Sequence, residues 1–122
     1  MHFMMLMFPA FHQGGKKVDP GFVPDPEKME EMGKFNEELG KAVKIISLNG
    51  LQPLATGARV AFGKGKSTVT DGPFIKAKEV VCGYWMVEAN SKEELVKWAQ
   101  RCPADPGDVI EIRQIFDATE KS

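Results

Sequence analysis

The chain is predicted to fold as an α+β protein, an antiparallel sheet with two helices on one face and an inserted β-hairpin. Three observations predict it. The segments run strand, helix, strand, hairpin, strand, helix, strand, an order that suits helices gathered on one side of an antiparallel sheet. Residues 2–8 and 80–87 are apolar at nearly every position instead of every second one, as in strands covered on both faces. Between the hairpin and the second of these strands, Asp71-Gly72-Pro73-Phe74 demands a turn, because Gly72 permits a backbone angle that other residues avoid and Pro73 fixes its own φ.

Taken in order, residues 2–8 place Phe3, Met5 and Met7 on one alternation and Met4, Leu6 and Phe8 on the other. A long loop rich in Pro and Gly follows, from Pro9 to Asp25, of the kind that covers a site. Asp25-Pro26 opens a helix, with a side-chain acceptor at the N-cap, proline at the first helical position and Glu27 near the positive end of the dipole. Met29, Met32, Phe35, Leu39 and Ala42 form its apolar stripe, and Lys28, Glu30, Glu31 and Lys34 fall on a solvated face. Residues 43–48 read as a short strand ended by Asn49-Gly50, and residues 58–62 and 67–70 as a hairpin around Gly63-Lys64-Gly65-Lys66. Gly65-Lys66-Ser67 resembles the end of a phosphate loop, but Val60 stands where that loop requires glycine and a strand follows, which excludes it. Ser91 and Glu94 make a capping box for a second helix whose inner side carries Leu95, Trp98, Ala99 and Cys102 and which Pro103 stops. Residues 109–116 form the last strand, with Glu111 and Arg113 on one alternation and Ile110, Ile112 and Phe116 on the other.

At 122 residues the chain is expected to be one domain. A net charge of −1 gives no electrostatic case for nucleic acid as a partner. Cys82 and Cys102 have no metal or redox spacing and are expected to be buried free thiols in a reducing compartment. The apolar start lacks a basic leader and a cleavage site, and is too short to span a bilayer, so a cytoplasmic protein without membrane attachment is expected.

This order fits a ferredoxin-like sandwich, with both helices on the same face of the sheet. The opposite face then carries Met, Phe, Tyr or Trp side chains that no segment of the chain is left to cover. Uncovered apolar surface forfeits about 25 cal/mol per Å², and a second copy is the simplest cover, giving a homodimer with sheets face to face.

Asn49-Gly50-Leu51-Gln52-Pro53, Thr70-Asp71-Gly72-Pro73-Phe74 with Lys78-Glu79, Gly83-Tyr84, and Cys102-Pro103 with Ile110-Glu111-Ile112-Arg113 together make the chain resemble the DGPF branch of the YCII-related proteins. The resemblance spans about residues 2–116 and implies a ferredoxin-like fold pairing as a dimeric α+β barrel. Some YCII-related proteins are proposed to be enzymes, one of them dechlorinating hydroxylated aromatic rings with a His in the first helix and an Asp near its end. Here Glu31 or Met32 and then Lys41 or Ala42 stand in those places, so that acid–base pair does not carry over.

Candidate catalytic residues are His12, a potential base in the first loop, and Asp71, at the turn, whose competing role is to accept backbone N–H bonds that hold it. Arg113, Arg59 and Tyr84 are candidate substrate contacts; cross-strand charge pairing accounts equally for the arginines, and packing between subunits for Tyr84 and Trp85. No nucleophile is paired with a base, and no metal ligand set or cofactor motif occurs. The first functional expectation is a protein binding a small apolar or aromatic molecule, with a cofactor-independent proton transfer or elimination as its chemistry. The second is a non-catalytic interaction or regulatory module linked to transcription, as the DGPF resemblance suggests.

Overall fold

A computed structural model describes residues 1–10, 25–72 and 80–116. Six strands and two α-helices follow one another as β1 (His2–Phe8), α1 (Pro26–Ala42), β2 (Lys44–Gly50), β3 (Ala58–Gly63), β4 (Lys66–Asp71), β5 (Gly83–Glu88), α2 (Lys92–Ala99) and β6 (Val109–Gln114). Four of the strands form one antiparallel sheet in the order β2-β5-β1-β6, and β3 and β4 form a separate two-stranded ribbon. This is the ferredoxin-like α+β arrangement expected, with the ribbon inserted between β2 and β5.

The register decides which alternation meets the helices. Phe3 lies opposite Val87, and Met5 lies between Trp85 and Ile112. These residues pack with Phe35 and Leu39 of α1 and with Leu95 of α2, and Met5, Leu39, Leu95 and Val87 are the largest fully buried side chains. Trp85 therefore belongs to the helix-side core and not to an intersubunit one. Its ring meets Phe35 edge-on at 6.3 Å and its indole N–H donates to Asn36 Oδ1 at 2.7 Å.

The other alternation, Met4, Leu6, Phe8, Tyr84 and Met86, is half-buried on the face away from the core. The α1 stripe is shorter than its sequence pattern, for Phe35 and Leu39 are buried while Met29 is 56% exposed. Phe116, beyond the end of β6, is fully exposed and takes no part in the apolar alternation assigned to it. Among the described residues no helix is long and apolar enough to cross a membrane.

Candidate functional site

Five segments converge at one end of the sheet. Pro9 follows β1, Asp25 caps α1 with its Oδ1 accepting the Glu27 N–H at 2.9 Å, and the chain after β2 passes Leu51 and Pro53. Cys82 continues the ladder ahead of β5: its N–H donates to the Met7 carbonyl at 2.9 Å and its own carbonyl accepts from Leu51 at 2.8 Å. The fifth segment is the loop from α2 to β6. Asp105-Pro106-Gly107-Asp108 closes there as a turn, the Asp108 N–H donating to the Asp105 carbonyl at 3.0 Å, with Gly107 at φ 94° as its third residue.

Asp108 ties two of these segments together. Its Oδ1 accepts the Ala10 N–H at 2.7 Å and its Oδ2 the Asp105 N–H at 2.8 Å, so each carboxylate oxygen holds a backbone donor. Lys28 reaches from the first turn of α1 to Asp105 Oδ1 at 2.5 Å, and this bond, ahead of the attraction of the surrounding carboxylates, raises its pKa. Lys28 keeps the solvated position expected of it while its ammonium reaches Asp105 at the edge of the site.

Together these segments line an open cavity of about 600 Å³. Its apolar lining comes from Met7, Met32, Leu51, Cys82 and three prolines, and its polar groups are Asp25, Lys28, Gln52, Asp105 and Asp108. Burial, with a smaller contribution from the negative charge of Asp108, raises the Cys82 thiol to about 11, and the same causes raise Cys102 to about 11. Both thiols are free and half-buried, and Cys102 lies 3.9 Å from the sulfur of Met32. At neutral pH Cys82 is a protonated, weakly polar part of the lining and not a nucleophile. The arrangement can hold a small apolar body while offering hydrogen-bond acceptors and one ammonium to its polar end. Among the described residues no group of three His, Cys, Asp or Glu could hold a metal ion.

The described candidate residues read from the sequence lie elsewhere. His12 falls outside the described residues. Asp71 ends β4, exposed, opposite Ala58, and Arg59 is on β3 opposite Thr70, on the other face of the ribbon. Tyr84 and Arg113 share the open face of the sheet, with Tyr84 beside Leu6 on β5 and Arg113 beside Met4 on β6. The Tyr84 hydroxyl meets Ser47 Oγ at 2.9 Å and accepts from Asn49 Nδ2 at 3.0 Å, and these bonds, Ser47 first, lower its pKa. None of these four lines the cavity. Sequence reasoning missed Asp105 and Asp108; the available signal was a Pro-Gly turn flanked on both sides by Asp, a residue that readily accepts nearby backbone N–H groups.

The YCII-related domain profile matches residues 10–119. The chain is also similar to an uncharacterized protein of Rhizobium meliloti (strain 1021), 25% identical over 76 residues that cover 62% of this chain and 61% of that protein. The match thus spans about three fifths of the relative's own length. With the profile covering nearly all of it, and the ferredoxin-like sheet beneath it, the chain belongs to the YCII-related domain family.

Proposed function

We propose that the chain belongs to the DGPF branch of this family and is a small-molecule-binding protein, acting as a cytoplasmic homodimer, whose ligand sits in the cavity at the end of the sheet. The observation that carries the reading is the cavity itself: about 600 Å³ with a lining of Met7, Met32, Leu51 and Cys82 beneath a rim of carboxylates and Lys28. That volume and that mixture suit a small aromatic or lactone-like compound, ring against the methionines and oxygen toward Lys28 or Gln52. A cofactor-independent proton transfer or elimination is the chemistry such a site supports, and His12, three residues beyond Pro9 of the lining, is the proton carrier assigned to it. Arg113 and Tyr84 are left to the open face, and Arg59 and Asp71 to the ribbon.

Isothermal titration of the full chain against phenolic and lactone compounds tests the reading. A binder is expected, with affinity lost in Met32→Trp, which fills the cavity, and retained in Arg113→Ala. Absence of any binder from the panel, or a binder indifferent to Met32→Trp, would sink it. Turnover lost in His12→Ala with binding intact separates the catalytic form from simple binding.

A further inference from the structure

The β3–β4 ribbon stands apart from the four-stranded sheet, and every residue of its two strands is exposed. Val60 lies opposite Val69 and Phe62 opposite Ser67. Because residues two apart share a face, Ala58, Val60, Phe62 and Val69 form one apolar stripe flanked by Ser67 and Asp71, and Arg59, Ala61, Lys66, Thr68 and Thr70 lie on the other face. Val60, Phe62 and Val69 are 51%, 86% and 64% exposed. A two-stranded ribbon is marginal by itself in water, and an apolar stripe along one face is what a ribbon carries when that face is covered. Its base is held: the Gly72 N–H donates to the Gly57 carbonyl at 2.8 Å, and Gly72 packs directly on the carbonyl of Leu54.

We infer that the ribbon is an arm that clasps a second copy of this chain, its Val60, Phe62 and Val69 stripe packing on the margin of the partner's sheet. The inference rests on the homodimer reading above and adds the segment that completes the interface. Area supports it. Four strands about 4.8 Å apart and about 20 Å long give the open face a footprint of roughly 400 Å², so sheet on sheet buries on the order of 800 Å² in total. Stable interfaces bury about 1,600 Å². Two arms, each laying a face of roughly 200 Å² on its partner, supply about the missing 800 Å² once both sides of each contact are included.

Both surfaces that need cover, open face and ribbon stripe, are on this chain, which favours a second copy over an unrelated protein.

Sedimentation equilibrium of the full chain tests the arm, comparing wild type with Phe62→Asp/Val69→Asp. A wild-type dimer is expected, with the double variant dissociating at least about a hundredfold more readily while keeping its circular dichroism. A photo-cross-linking amino acid in place of Phe62, a position 86% exposed, should give a covalent dimer, and it decides the matter should the double variant misfold. A wild-type dimer that the double variant leaves equally tight overturns the arm and spares the homodimer. A monomeric wild type at micromolar concentration overturns both, and a cross-link to some other protein in the cell overturns the second copy as occupant.

Discussion

Gly72 has no room for a side chain. A Cβ placed there would lie 1.7 Å from the Leu54 carbonyl oxygen and 2.6 Å from its carbon, backbone atoms that cannot yield as a flexible side chain would. Gly72→Ala is therefore expected to lower stability by about 2–3 kcal/mol, measured by urea unfolding, as the turn at Leu54–Thr56 is forced away. Gly33, inside α1 with nothing within 4 Å of an added methyl, is the control: Gly33→Ala should raise stability by about 0.5–1 kcal/mol. The sequence marks Gly72 through its place in Asp71-Gly72-Pro73-Phe74 but suggests the wrong reason. Among the described glycines only Gly65 and Gly107 take positive φ, so Gly72 is there for close approach and not for an unusual backbone angle. Close approach to residue 54 depends on how two distant segments pack, and spacing carries no trace of it. Asp108 repeats the lesson, since its turn with Asp105 is local and legible, whereas its bond to the Ala10 N–H crosses 98 residues of sequence.

At the level of elements, local chemistry is the better guide. The serine half of the capping box is in place, with Ser91 Oγ accepting the Glu94 N–H at 3.2 Å. Ser91→Ala should lower stability by about 1 kcal/mol and loosen the first turn of α2, which hydrogen exchange at Glu93 and Glu94 would register. β1 occupies the residues its apolar run indicates, and the two ribbon strands extend one or two residues past the limits read from the hairpin pattern. The central strand β5 is less transparent. Where both alternations are apolar, as in Tyr84-Trp85-Met86-Val87, nothing in the run says which set meets the helices. Pairing with β1 settles it, setting Trp85 across from Met5 and Tyr84 across from Leu6. The cavity was illegible for the same reason on a larger scale: it draws its walls from five stretches of chain, and the pattern of any one of them is explained by its own helix, strand or turn.

For the molecule as a whole, the half-buried thiols tie stability to alkaline pH. Cys82 and Cys102 stand at about 11 in the folded chain against an ordinary 9.0, and unfolding returns them to water. Between those values the unfolded chain holds fewer protons than the folded one, so this contribution is complete below 9.0 and is lost as pH rises toward 11. Urea midpoints followed through that window should fall more steeply for the wild type than for Cys82→Ala/Cys102→Ala. The partial exposure of both groups keeps the difference modest.

The indole rings give this molecule a division of labour in light emission. Trp85 is sealed against Phe35 and Asn36 on the helix side, and Trp98 lies beneath the Arg101 guanidinium, 4.4 Å from its ring centre, so the two tryptophans of the chain are both remote from the open face. Denaturation floods their surroundings with solvent and reddens their fluorescence, whereas a neighbour arriving on the far side of the sheet leaves it untouched. Loss of structure thus registers in emission, and a change of assembly on that face in hydrodynamic mass.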